Sequence, residues 1–368
     1  MDNHRQLRPI TARDGCRIWI GGREYIDFSS NDYLGLSRAL ADSESELPQG
    51  LPSGATGSRL LAGDYQWTHD LETELAADFG YDRALIFNSG YQLSVGLLPT
   101  LVGPSDIVFA DRHIHASWID GCCLSGARLV RFAHNDTVHL KQRLQALRAT
   151  GKTALIVVES LYSMDGDSPD FMTLLDLKAQ FDCRLIVDEA HAIGVMGSQG
   201  LGMLGGTPLA ASVDFITATF GKALASFGAF VCCAEADYQT LIQNCRSFIF
   251  STALPPSLIF QNHRAYRRMK AADLERVQLA RLAHSLRAAL ATTAYAVMPG
   301  TAPIIPVVIG ETEATVAIAA ALREQGLWCL PITHPTVPQQ QARLRLSITA
   351  AHSEANCHTL VAALSQLS

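Results

Sequence analysis

Short apolar runs alternate with helically spaced stretches through the first two-thirds of the chain. ALIFNSG (84–90), DIVFAD (106–111), ARLVRF (127–132), ALIVVES (154–160), CRLIVDE (183–189) and DFITATF (214–220) are apolar and β-rich, and read as strands. YQLSVGLLPTLV, HLKQRLQALRA (139–149) and FMTLLDLKAQF (171–181) carry apolar residues at helical spacing. Near-continuous apolar strands separated by helices predict a mostly parallel sheet covered on both faces. Upstream, RIWIGGREYIDF (17–28) reads as a hairpin around Gly21-Gly22, NDYLGLS (31–37) as a loop, and 42–63 lacks a period. A helix starts near Thr68. Leu71, Leu75 and Phe79 recur every four residues, with Asp70, Glu72 and Glu74 in or near its first turn. After Pro255-Pro256 the texture changes: residues 257–291 read as one long amphipathic helix, IIPVVIG (304–310) as a strand and TEATVAIAAALREQG (312–326) as a helix ended by glycine. RLRLSIT (343–349) alternates as a strand does, and 353–367 reads as a final helix. This is a second, smaller α/β unit beginning near residue 255.

Composition narrows the class. The chain has 368 residues, a length that suits two or three domains. Hydrophobic residues make up 48% and charged ones only 17%, which disfavours a disordered chain or coiled coil and fits large buried elements. Lys and Arg number 29 against 35 Asp and Glu, a net charge of −6 without a basic run, so a nucleic-acid partner is not expected. No apolar stretch reaches the length of a membrane span, and MDNHRQLRP has no signal-peptide character. Nine cysteines, two of the pairs adjacent, fit reduced thiols in the cytoplasm.

Open α/β sheets bind ligands at the carboxyl ends of their strands. Four polar signals sit at such ends: Asn88-Ser89-Gly90-Tyr91, Glu159-Ser160, Asp188-Glu189-Ala190-His191 and Thr219-Phe220-Gly221-Lys222. An apolar strand followed by DEAH resembles the second motif of a helicase-type ATPase. That chemistry also needs a GxxxxGK[ST] loop between a strand and a helix. The sole GKT, Gly151-Lys152-Thr153, follows a helix and precedes a strand, and Ala146 stands where the first glycine belongs. Pyridoxal 5′-phosphate (PLP) asks for a different set: a lysine amine, a carboxylate beside the pyridine nitrogen, a phosphate cradle at a helix N-terminus and a flat group over the ring. Lys222, Asp188, Ser89-Gly90-Tyr91 and His115 supply those types. Taken singly, each has a plain structural reading: a solvated loop lysine, a helix-capping aspartate, a core tyrosine. A metal site is not indicated, because no HExxH or zinc-type Cys/His spacing occurs. In the strand 343–349, Arg343, Arg345 and Ser347 share one face, so either arginine can present a fork to a carboxylate, the other being a surface partner.

FSSNDYLGLS (28–37), LYSMDGD (161–167), VDEAHAIGVMG (187–197), TFGKA (219–223) and RLRLSITAAH (343–352) are similar to the motif blocks of the α-oxoamine synthases, PLP enzymes of fold type I. The resemblance runs from about residue 5 to the C-terminus. It implies an α/β fold with a large domain built on a mostly parallel seven-stranded sheet and a smaller α/β C-terminal domain. Residues 1–40 would join the small domain, 41–255 would form the PLP domain and 256–368 the rest of the small one. RFAHND (131–136), PTVP (335–338) and RLRLSITAAH are most similar to the branch that joins L-alanine to a pimeloyl thioester in biotin biosynthesis. Another member, of the type that acylates glycine, is the alternative.

The same resemblance assigns roles. Lys222 matches the Schiff-base lysine, Asp188 the partner of the pyridine nitrogen, and His191 the donor to the phenolic oxygen. His115 matches the stacking histidine, with a part in acid–base steps. Ser163 matches a further polar contact, Thr219 a phosphate-side contact, and Gly90 with Tyr91 the phosphate cradle. Arg345 matches the arginine for the amino-acid carboxylate, and Arg5 and Thr336 match contacts to acyl substrate or product. Ser251 and Thr252 match a segment reaching the neighbouring subunit's phosphate, which implies a homodimer. The thioester carrier is CoA or an acyl carrier protein. Three departures stand out: Ala225 replaces the usual glycine three residues beyond the lysine, Gln340-Gln341 replaces the Gly-Thr before the arginine strand, and the leading helix of many members is lacking.

Overall fold

The computed structural model describes residues 7–42, 48–148 and 152–367. They fall into two compact units. The larger takes the described residues of Glu44–Tyr162 and Ser168–Ala271, and the smaller those of Met1–Ser43, Ser163–Asp167 and Ala272–Ser368. The division follows Ala271 and does not lie near residue 255. The stretch expected as one long helix is two, Pro256–Lys270 and Asp273–Leu290. Charge marks the break: Arg267, Arg268 and Lys270 end the first helix and Asp273 and Glu275 open the second, each suiting the local end of a helix dipole.

The larger unit is built on seven strands: β1 (Arg83–Phe87), β2 (Ile107–Asp111), β3 (Arg128–Phe132), β4 (Ala154–Glu159), β5 (Arg184–Asp188), β6 (Phe215–Thr219) and β7 (Ala229–Cys233). Their order is β1-β7-β6-β5-β4-β2-β3. β7 runs antiparallel to both neighbours and every other pair is parallel. Helices α2 (Gly90–Leu101), α3 (Ala116–Ser125), α4 (Thr137–Leu147) and α5 (Phe171–Gln180) fall between the strands in sequence, and α1 (Gln66–Phe79) precedes β1; the periodicity predicts all of them but α3. Every residue of β2, β4 and β7 is buried, as a sheet covered on both faces requires. On one face, Leu85, Phe87, Val108, Leu155, Ile186 and Phe215 pack with Leu93 and Leu97 of α2 and Trp118 of α3.

The acidic residues of α1 do something other than open it. The helix starts at Gln66, so its first turn holds no acid. Glu72 is instead buried, with 5% exposure. Its carboxylate accepts from both terminal nitrogens of Arg59, at 2.8 and 3.1 Å, and from the amide of Ile86 in β1 at 2.8 Å. This pair pins the loop before α1 to the edge strand.

In the smaller unit, strands 10–14, 17–20 and 23–27 form an antiparallel meander that extends the expected hairpin, with 327–328 parallel to its last strand. A second sheet centres on β8 (Ile304–Gly310) and β9 (Ala342–Ser347), with Arg345 opposite Pro306. Both faces of β9 are buried, so Arg343 is not a surface partner. It donates to Asp165 Oδ1 at 2.6 Å, with side-chain exposures of 2% and 3%. Ala225, in the larger unit, and Gln340, in the smaller, have φ of +51° and +63°. Each stands where the resembling family places glycine, and each carries a side chain into left-handed backbone at a cost of about 1 kcal/mol.

Removing Glu72 while keeping Arg59 leaves a buried cation short of its main partner and a strand amide without an acceptor. Glu72→Ala is expected to lower unfolding free energy by about 3 kcal/mol in urea titration. A loss below about 0.5 kcal/mol would contradict the pinning role.

Candidate active site

Parallel strands deliver their carboxyl ends to one edge of the sheet, and there a cavity of about 190 Å³ opens within the larger unit. Gly90, Tyr91, His115, Asp188, His191, Thr219 and Lys222, all predicted from sequence, line it together with Ser117, Glu159 and Ala190. Asp188 ends β5. Its Oδ2 accepts from the Trp118 indole N–H at 2.8 Å and its Oδ1 from the Ala190 amide at 2.9 Å. The carboxylate is therefore fixed in position by neutral donors. Thr219 ends β6 and lies on the neighbouring strand; its hydroxyl donates to the Gly228 carbonyl at 2.8 Å. Lys222 follows in a tight turn closed by Ala225 N to Lys222 O and Ser226 N to Phe220 O, both 2.9 Å.

Gly90 opens α2, capped by Ser89, whose hydroxyl accepts from the Gln92 amide at 3.1 Å. A Cβ at Gly90 would meet nothing within 4 Å, so the helix end is open. Tyr91 is half exposed and so is not a core residue; its hydroxyl donates to Asp120. His115 caps α3, and its amide donates to the buried Glu159 at 2.8 Å. Burial holds the His115 imidazole below its usual pKa. The Lys222 charge acts in the same direction, against Asp188 and Asp120.

Sequence reasoning missed Trp118 and Ser117, and gave Glu189 no role of its own. An indole N–H aimed at a strand-end carboxylate has no sequence signature. Glu189 turns away from its neighbour Asp188 and is fully buried. It accepts from Ser160 Oγ at 2.6 Å and from the amides of Met203 and Leu204 at 3.0 and 2.9 Å. Burial pushes its carboxyl up to about 7. It anchors the loop that follows His191.

Other predicted residues lie elsewhere. Ser251 and Thr252 line a separate small cavity with Arg59, Asn88 and Gln92, where the Asn88 side chain donates to the Thr252 carbonyl at 2.8 Å. In the smaller unit, Arg345 donates to the Ser163 carbonyl, to Ser347 Oγ at 2.8 Å, and to Asn31 Oδ1 and Tyr33 Oη at 3.1 and 3.3 Å. Thr336 there is exposed in a turn. Arg5 lies outside the described residues.

The donor set suits PLP. One cavity joins a primary amine, a fixed carboxylate, an imidazole and the N-terminus of a twelve-residue helix, which favours a phosphate dianion. Comparison with known proteins agrees. The family model described as aminotransferase class I and II matches residues 23–364. The 8-amino-7-oxononanoate synthase of Chlorobaculum parvum is 41% identical over 355 residues, covering 94% of this chain and 90% of its own. The structure of 8-amino-7-oxononanoate synthase from Francisella tularensis matches with a TM-score of 0.75 and 27% identity, over 93% of this chain and 97% of that one. A serine palmitoyltransferase from S. paucimobilis, with PLP–myriocin bound, matches with a TM-score of 0.89 and 26% identity, over 98% and 92%. The chain thus belongs to the class I and II aminotransferase family and, within it, to the 8-amino-7-oxononanoate synthases, which are PLP-dependent acyltransferases of fold type I.

Proposed function

We propose that the protein condenses L-alanine with a pimeloyl thioester of CoA or an acyl carrier protein. Carbon dioxide and the carrier thiol leave, and 8-amino-7-oxononanoate remains. The observation that carries this reading is the meeting of Lys222, Asp188 and His115 in one cavity at the sheet's carboxyl edge, in a chain whose relatives bear that name. PLP, when bound, supplies an electron sink for charge that develops at the amino acid's Cα. Lys222 would hold the cofactor through its amine, and the same amine can take the Cα proton of the alanine. Asp188 keeps the proton on the ring nitrogen, which holds the sink in its electron-poor form. His191 donates to the phenolic oxygen. Gly90, Tyr91 and Thr219 hold the phosphate, with Ser251 and Thr252 supplied from a second copy of the chain. His115 would cover the ring and can accept and return a proton at the forming ketone.

Arg345 takes the alanine carboxylate in this reading. Its partners are four neutral oxygens, with no carboxylate among the described residues, whereas Arg343 is neutralised by Asp165. A buried guanidinium with neutral partners gains from an anionic ligand, which it can grip in two places. Ser163 adds a polar cofactor contact, and Thr336 and Arg5 are assigned to the acyl substrate or product by the family resemblance. A cytoplasmic homodimer is the working form. All nine cysteines are free thiols, and no described helix is long and apolar enough to cross a membrane.

Thiol release should be fastest with alanine and a pimeloyl thioester when alanine, glycine and serine are crossed with pimeloyl, acetyl, succinyl and palmitoyl thioesters. Preference for glycine with acetyl would assign the chain to the other branch. Asp188→Asn should bind PLP more weakly in an absorbance titration and lower turnover roughly 100-fold or more. Wild-type turnover in that variant would remove Asp188 from the electron-sink role.

A further inference from the structure

Of the polar residues in Asp188-Glu189-Ala190-His191, Glu189 has no part in the proposed function. It is fully buried and does not line the cavity. Its bonds nevertheless join three stretches of the larger unit. Oε2 accepts from Ser160 Oγ, just beyond β4, at 2.6 Å and from the Met203 amide at 3.0 Å, and Oε1 accepts from the Leu204 amide at 2.9 Å. The Glu189 amide donates to the Thr217 carbonyl of β6 at 2.7 Å. Its carbonyl accepts from the amides of Ala192 and Ile193 at 2.9 and 2.8 Å.

The segment 190–204 is also closed on itself. Gly194 N donates to Gly200 O at 2.6 Å, Gly202 N donates to Met196 O at 3.0 Å, and Ile193 bridges to Leu201. With its own bonds satisfied inside, its placement on the sheet is set at its two feet. One foot is the turn 189–193, which carries His191. The other is Met203-Leu204. Glu189 holds the first through its backbone and the second through its carboxylate. The fit is close: Gly202 has φ of +87°, and a Cβ there would come within 2.6 Å of Glu189 Oε2. Burying a carboxylate is costly unless its donors are fixed, but directional bonds hold the feet where apolar packing would let them slide.

We propose that Glu189 is a positioning residue: by clasping both feet of segment 190–204 it sets the His191 imidazole at the cavity wall. The proposal rests on the part given to His191 in the proposed function, because the clasp reaches PLP through that ring.

A double-mutant cycle on PLP affinity tests this, with amide hydrogen exchange of the holoenzyme as a second readout. Glu189→Gln keeps the volume but turns one acceptor into a donor, so a loop amide loses its partner. Exchange across 190–204 should then quicken about tenfold, and PLP should bind about fivefold more weakly, the size of one lost hydrogen bond. His191→Asn should weaken PLP by a similar factor, and adding Glu189→Gln to it should weaken PLP no further. A purely structural loss would appear in both backgrounds. Ser160→Ala keeps the carboxylate and the loop amides; it should show the same pattern at smaller size, and it carries the cycle if Glu189→Gln does not fold. Unchanged exchange, or a PLP loss as large beside His191→Asn as in the wild type, would overturn the proposal. Wild-type affinity in Glu189→Gln beside a weakened His191→Asn would remove this proposal alone. Wild-type affinity in His191→Asn would remove both it and the part given to His191.

Discussion

The site depends on one fixed carboxylate. Asp188 ends a strand whose preceding residues are buried, and an anion there needs donors that cannot drift. The indole of Trp118 and the amide of Ala190 provide them at 2.8 and 2.9 Å. Meeting that need constrains the neighbours. Trp118 must sit on α3, one turn beyond the residue that caps it, and that residue is His115. The backbone must turn at Ala190, which carries His191 to the cavity wall. The parallel pairing of β5 with β6 sets Thr217 beside Asp188, so Thr219 and then Lys222 follow at the same edge. Cofactor chemistry is thereby a consequence of sheet topology, since one register brings the amine and the carboxylate to a common cavity.

Much of this is legible in the sequence because polar residues at the ends of apolar strands are conspicuous. Six strands and the helices between them, except α3, follow from periodicity. The seventh, β7, escaped because AFVCC ends in two buried cysteines rather than in a polar signal. The long helix after Pro256 breaks at Ala271, where apolar spacing continues but the charge pattern reverses from basic to acidic. That reversal was readable, and periodicity outweighed it. Partners brought together from distant positions were not readable. Neither Glu72 with Arg59 nor Trp118 with Asp188 leaves a trace in local spacing.

The two arginines of β9 show where pattern reading stops. Alternation puts both on one face and gives them equal claims. Asp165 neutralises Arg343 and leaves Arg345 among neutral oxygens, so their charges have different uses. The chain's departures from its family have a physical side as well. Ala225 and Gln340 accept left-handed backbone that glycine adopts freely. The turn after the lysine and the approach to β9 keep their shape without glycine, at a small cost in stability.

The central claim is that Lys222 is the amine the cavity presents to PLP. Borohydride reduction of the PLP-loaded protein, followed by proteolysis and mass mapping, tests it most directly. The account predicts a phosphopyridoxyl group on the peptide containing Lys222, and on no other lysine in stoichiometric amount. Stoichiometric labelling of a different lysine, with Lys222 unmodified, would contradict it.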